Sequence, residues 1–256
     1  MPAPDAETFR CERHGPVAVV VFAGPHHANA LSGRRMRELL LLLKQLEADA
    51  SVRGVVLRAE EGSSFTVGGD FHELERFTGG AEVDAWHDTV ADLCVACLEL
   101  TKPTVVALDG HVIGIGVLIA LSCDYRIGSE SCSLRMPHLQ LGLAAVLVGY
   151  VLEHFAGRTV MQEMLLSGET WSPEDALHDG LLQRVVPDQD LATTALHLAT
   201  RFASYDTPTF RATKQHLNRR YVEGLREVQR TARAAQRAGF ESGLPQERMR
   251  RTLGRD

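Results

Sequence analysis

Two passages of this chain run from a strand-like segment through a glycine-bearing turn into a helix, and that repeated order constrains the fold more than any other feature. The first turn is Ser64-Phe65-Thr66-Val67-Gly68-Gly69-Asp70-Phe71, and the second is Asp109-Gly110-His111-Val112-Ile113-Gly114-Ile115-Gly116. A turn that opens a helix leaves backbone N–H groups without intrahelical acceptors. Two such turns set side by side can hold one oxyanion. The glycines also serve tight turns for their own sake, and Asp70 is an expected helix N-cap in addition to any other role.

The segments around the turns read as α/β. Val17 to Phe22 is a β-branched run after His14-Gly15-Pro16. Met36, Leu39, Leu40, Leu43 and Leu46 follow at helical spacing, and strand character resumes at Gly54 to Arg58. A helix over Asp84 to Leu100 stops at Lys102-Pro103, then strand Thr104 to Leu108 leads through the second turn to a helix over Val117 to Ser122 and a strand at Tyr125 to Ile127. Beyond Val146 the pattern is mostly helical, with a brief strand at Val185-Val186 and a long amphipathic stretch from Pro208 to Phe240. No repeat or linker divides the chain, which is read as a core over residues 1–190 and a helical C-terminal oligomerisation region over residues 191–256.

Composition excludes several classes. A formal charge of −6 gives no long-range attraction for nucleic acid or anionic membrane. The first residues carry no basic start followed by an apolar run, and no later run is long enough to span a bilayer, so a cytoplasmic location is expected. Five cysteines are expected to be reduced rather than a disulfide framework. Cys94 and Cys97 have redox-motif spacing but lie in an apolar-periodic run with no second ligand pair nearby, so no metal site is expected. Gly114 and Gly116 do not complete a dinucleotide fingerprint, and no Gly-x-Ser-x-Gly elbow occurs.

The motifs carry a resemblance. Asn29-Ala30-Leu31-Ser32, the loop Ser64 to Phe71, Lys102-Pro103-Thr104-Val105-Val106-Ala107 with Asp109-Gly110, Cys123-Asp124-Tyr125-Arg126-Ile127, and Leu166-Ser167-Gly168 with Ala176, Gly180 and Leu181 resemble, in order, landmarks of the crotonase (enoyl-CoA hydratase/isomerase) superfamily. The resemblance implies a spiral of β-β-α units with a helical C-terminal region, assembled as a homotrimer or hexamer. It implies an oxyanion hole made by the backbone N–H groups of Gly69 and Ile115, closing on the carbonyl oxygen of an acyl thioester carried by CoA or by the phosphopantetheine of an acyl carrier protein, with no further cofactor. Ile115 stands where the family usually has glycine, which requires dihedral angles that suit a β-branched residue.

Two departures shape the expected activity. Leu118 and His138, in Pro137-His138-Leu139-Gln140-Leu141-Gly142, stand where hydratases of the family have catalytic glutamates. Leucine can neither activate water nor protonate carbon, so ordinary hydration is not expected. His138 is the candidate proton carrier, since imidazole titrates near neutrality. Substrate contacts are expected from Ala30, Val67, Asp70, Trp86, His87 and Leu118, while His72 and Glu73 are weaker candidates that a solvated helix face also explains. Asp124 is expected to be structural. The expected reaction is double-bond isomerisation or dehydration through a stabilised enolate. One alternative is decarboxylation of a β-branched acyl thioester, because the loop Phe65 to Leu74 and Lys214-Gln215-His216-Leu217 loosely resemble decarboxylases of polyketide β-branching. Arg34, Arg35 and Arg37 would then meet a carrier protein's acidic helix, or simply form a solvated face. A binding protein without turnover is the other.

Overall fold

The computed structural model describes residues 9–24 and 28–255. The chain opens with β1 (Phe9–His14) and β2 (Val17–Phe22), antiparallel across a turn in which Gly15 takes a positive φ of 59°. Then come α1 (Gly33–Ala48), β3 (Gly54–Ala59), α2 (Phe71–Leu74), α3 (Ala81–Glu99), β4 (Thr104–Leu108), β5 (His111–Ile113), α4 (Ile115–Leu121), β6 (Tyr125–Ser129) and β7 (Ser133–Arg135). The rest is α5 (Val146–Ser167), β8 (Thr170–Trp171), α6 (Pro173–His178), β9 (Arg184–Val186), α7 (Leu191–Ala203), α8 (Thr207–Glu241) and α9 (Leu244–Thr252).

The strands divide between two layers. One sheet has the order β1-β2-β3-β4-β6-β9, parallel from β2 onward, and a smaller sheet has the order β5-β7-β8. Isolated parallel bridges Thr66–Val112 and Leu31–Gly69 carry the smaller layer back to the first turn. The chain therefore steps from one layer to the other at each circuit, which makes the expected spiral and stacks the two glycine turns.

Both faces of the large sheet are covered, which is why β2 is buried along its whole length. Ala18, Val20, Phe22, Leu57, Val106 and Leu108 face a core shared with α1, α3, α4 and α5. The alternate residues Val17, Val19, Val21, Val56, Val105 and Ala107 meet Leu191, Ala195, Leu198 and Ala199 of α7. The buried Lys214 ammonium pairs with Asp124 at 2.7 Å, and Asp124 also accepts the backbone N–H and the hydroxyl of Thr104. Asp124 is thus structural, and Lys214 supports the fold rather than the chemistry.

Helix α8 packs within the chain, with Tyr221, Leu225, Ala232 and Phe240 buried and Arg226, Arg233 and Arg237 paired with Asp92, Asp88 and Asp84 of α3. The chain supplies its own cover. The helix over Val117 to Ser122 begins two residues earlier than the sequence indicated, because Gly114, with φ 56° and ψ −109°, is the residue that turns the chain. Among the described residues, no helix is long and apolar enough to cross a membrane.

Candidate active site

The first turn is held by Asn29 and Thr66. The Asn29 amide donates to Phe22 O at 3.2 Å and Ser64 O at 2.9 Å, and the Thr66 hydroxyl donates to Asn29 O at 2.7 Å. Leu31 N–H then donates to Gly68 O at 2.7 Å, and Asp70 N–H donates to Leu31 O at 3.1 Å. Successive N–H groups of an extended segment point to opposite edges. With Asp70 N–H turned toward Leu31, the N–H of Gly69 is turned the other way, and it has no acceptor among the described residues. Asp70 caps α2 as expected, accepting His72 N–H at 2.9 Å.

The second turn is sewn to the first. Phe65 N–H donates to Asp109 O, Thr66 N–H to His111 O, and Ile113 N–H to Thr66 O at 2.9 Å. A Cβ added to Gly68 would sit 2.9 Å from Ile113 O and 3.8 Å from Ile115 N, so the chains meet at van der Waals range there. Ile115 is the first residue of α4, where an N–H has no intrahelical acceptor. Asn29 is the one non-glycine residue with a positive φ among the described residues. Ile115 therefore sits in ordinary helical space, and its β-branched side chain is buried without backbone strain. Gly69 and Ile115 thus present two N–H groups from adjoining turns, an arrangement that can stabilise charge developing on a carbonyl oxygen.

His138 stands beside the second turn. The next residues fold back on it, with Leu143 N–H donating to His138 O at 2.9 Å, and its Cε1 lies 3.7 Å from where a Cβ on Gly114 would be. Its Nδ1 is buried without a hydrogen-bond partner among the described residues. Burial disfavours the charged imidazolium and pushes the pKa down to about 4. The side chain is neutral at pH 7, with a basicity close to that of an ordinary carboxylate.

A cavity of about 1010 Å³ opens in front of the turns. Ala30, Val67, Gly69 and Asp70 line it, together with Phe71 and the exposed His72. Trp86 sits behind Gly69, its Cζ2 3.0 Å from where a Cβ on that glycine would be, so it covers the donor without forming part of the wall. His87 is not brought to the cavity. Neighbours on a helix point about 100° apart, and with Trp86 turned to the first turn, His87 is buried where Asp88, Asp84 and Arg233 act on its charge, while desolvation lowers its pKa. Leu118 is buried in the core and outside the wall, and Ile115 and His138 stand behind the wall residues Ile113 and Pro137 rather than in the wall itself. Glu73 is occupied structurally, accepting Gly33 N–H at 2.7 Å. Arg35 is buried and donates to Ala30 O at 2.7 Å, so it belongs to the cavity wall rather than to a surface for a carrier protein.

The opposite wall escapes the sequence pattern. Arg135 and Gln140 contribute to it from the segment around Pro137, and Arg248, Arg251, Thr252 and Leu253 from α9 and the residue after it. A signal for α9 is present in Gly243 followed by Leu244-Pro245, a glycine before a proline in the first turn of a helix. No cluster of three or more His, Cys, Asp or Glu side chains that could hold a metal ion occurs among the described residues.

Comparison with known proteins agrees with this architecture. A carboxymethylproline synthase from Pectobacterium carotovorum subsp. carotovorum is 29% identical over 95% of this chain and 98% of its own length. A short-chain-enoyl-CoA hydratase from Clostridium acetobutylicum is 29% identical over 81% of this chain and 80% of its own. Among solved structures, ThnE from S. clavuligerus is 38% identical and superimposes with a TM-score of 0.76, covering 88% of this chain and 99% of that one. An enoyl-CoA hydratase from Bacillus halodurans, at 19% identity, shares the fold with a TM-score of 0.88 over 96% of this chain and all of its own. Residues 12–252 match the enoyl-CoA hydratase/isomerase family, and with the two turns in their expected places the chain belongs to that family.

Proposed function

We propose that the protein forms and reprotonates the enolate of an acyl thioester, shifting a double bond or removing water in preference to hydrating an enoyl group. The observation that carries this reading is the neutral imidazole of His138 beside the turn that presents Ile115 N–H. The thioester oxygen would lie between the Gly69 and Ile115 N–H groups. His138 would take the α-proton of a β,γ-unsaturated thioester as its electron pair moves into the oxygen-stabilised dienolate, then return that proton to the γ-carbon. One group serves both transfers. Loss of water is the second reaction within its reach, since the imidazolium formed at the α-carbon can protonate the departing β-hydroxyl. That a relative covering nearly the whole chain is named a synthase is compatible with a fold whose members are not all hydratases.

Decarboxylation is a second reading, supported by the weak basicity of His138, because loss of CO₂ creates the enolate without a base. Mass spectrometry of β,γ-unsaturated, β-hydroxy and β-carboxy acyl thioesters after incubation separates the reactions. His138→Ala should lower turnover and solvent-deuterium exchange at the α-carbon by roughly a hundredfold to ten-thousandfold, with little change in thioester affinity. The sign of the pH dependence follows from burial. The neutral form is the base, so kcat/KM should rise with pH through about 4 and be level at pH 7. A limb near pH 6.5, or exchange undiminished in His138→Ala, overturns the assignment. Tight binding with no exchange or conversion of any thioester favours a binding protein instead.

A further inference from the structure

Among the described residues, Arg135 and Arg248 in the cavity wall have only neutral partners. Arg135, half-buried at the end of β7, donates through Nε to Gly168 O at 2.9 Å and through Nη2 to the Gln140 side-chain oxygen at 2.8 Å. Arg248, half-buried on α9, donates through Nη1 to Leu139 O at 3.3 Å and to Gln140 O. Both guanidinium groups therefore converge on Gln140. Other arginines of this C-terminal half do meet carboxylates, as in Arg226 with Asp92, Arg233 with Asp88, and Arg251 with Glu247. Neither Arg135 nor Arg248 has an ion-pair partner among the described residues. Two partly desolvated charges of one sign on a single wall are costly unless a ligand completes them, and a carboxylate or phosphate can accept from such forks.

The rest of the wall is poor in negative charge. Asp70 is its one acidic residue, and its carboxylate already accepts an N–H at the start of α2. The backbone of Arg135 also borders the second turn, and Arg248 is hydrogen-bonded to Leu139 and Gln140, the two residues after His138. Arg135 O accepts Gly114 N–H at 3.0 Å, and Ile113 pairs with Arg135 across β5 and β7. The anion that meets them should thus lie close to the thioester along the chain of bonds. The phosphates of a CoA or carrier arm are separated from the sulfur by the whole pantetheine chain, whereas a carboxylate at the end of a short acyl group is only a few carbons away.

We infer that the preferred acyl group carries a carboxylate a few carbons beyond the thioester, bound by Arg135 and Arg248. This rests on the reading of Gly69 and Ile115 as the thioester-oxygen site. A carboxylate a few carbons beyond the α-carbon cannot leave as CO₂ to give the enolate, so the subsite retains it through the reaction.

The test compares glutaryl and pentanoyl thioesters, equal in carbon number and differing in the carboxylate, each on pantetheine and on CoA, by calorimetric binding to the full chain. Glutaryl-pantetheine should bind roughly ten to a hundred times more tightly than pentanoyl-pantetheine, the scale of charge-assisted hydrogen bonds. Arg135→Met and Arg248→Met should each collapse most of that ratio, and Arg135→Lys should keep part of it. The wild-type ratio needs no variant to fold, and thermal unfolding checks the variants. Equal binding of the two pantetheine thioesters overturns the inference while leaving the thioester reading intact. Selective weakening of the CoA thioesters alone in the arginine variants also overturns it, assigning the arginines to carrier phosphate. No binding of any thioester to the wild type removes the thioester reading and the inference together.

Discussion

The first and second turns present the same chemical group, a backbone N–H, yet they differ in what each can tolerate at the donor. At Gly69 an added Cβ would fall 2.8 Å from Leu74 Cδ1 and 3.0 Å from Trp86 Cζ2, so both side chains would have to shift. At Ile115 the donor is the first residue of a helix, whose geometry directs the N–H outward while the side chain turns into the core. The glycine that the second turn needs is one residue earlier, at Gly114, where φ is 56°. A donor in an extended segment is constrained by what packs above it. A donor at a helix start is constrained by the residue that turns the chain into the helix.

The substitution with the largest expected effect is Gly69→Ala. Its methyl group must displace Leu74, Trp86 or the turn itself, and turnover or α-deuterium exchange should fall by roughly a hundredfold to a thousandfold as the donor leaves its place. Overpacking should also lower stability by about 1–3 kcal/mol in denaturant unfolding. Wild-type exchange in Gly69→Ala would break the comparison at its first member.

Gly114→Ala should act more mildly and through the backbone. The nearest atom to the new Cβ would be His138 Cε1 at 3.7 Å, an ordinary contact, so the cost lies in holding a positive φ of 56° with a side chain present. A loss of about 1–3 kcal/mol is expected. Because this residue adjoins both Ile115 and His138, a drop in exchange greater than its loss of stability would show that the two are positioned together.

Ile115→Val has the smallest expected effect and sharpens the contrast most. The N–H is retained and one buried methylene is lost, for about 0.5–1.5 kcal/mol of stability and less than roughly a threefold change in rate. A rate loss comparable to that of Gly69→Ala would mean that the Ile115 side chain, rather than helix geometry, places the donor.

Elements with strong local signals are legible in the sequence. Val17 to Phe22, the helix that follows and the strand at Gly54 form a parallel β-α-β unit, as the hydrophobic pattern indicates. Strand β1 escapes that pattern because Phe-Arg-Cys-Glu-Arg-His is polar and largely exposed at the sheet edge. The small sheet escapes it for another reason, as β5, β7 and β8 span three, three and two residues and cannot display a period. In the site, the turn residues Gly68, Gly69, Asp70 and Gly114 are legible because turns and caps are local chemistry. The sequence misplaces His87, because a helix pattern shows which residues are buried without showing what buries them.

By itself the sequence determined the parallel β-α-β unit, the two glycine-bearing turns and the N-cap at Asp70, since each depends on residue type and short spacing. Only the tertiary structure decided that Trp86 rather than His87 meets the first turn, that Ile115 is unstrained, and that Arg135 and Arg248 meet at Gln140. Those outcomes depend on which distant segments pack together. Packing is settled by burial and shape across the whole core, and residues far apart in the chain carry no local trace of it.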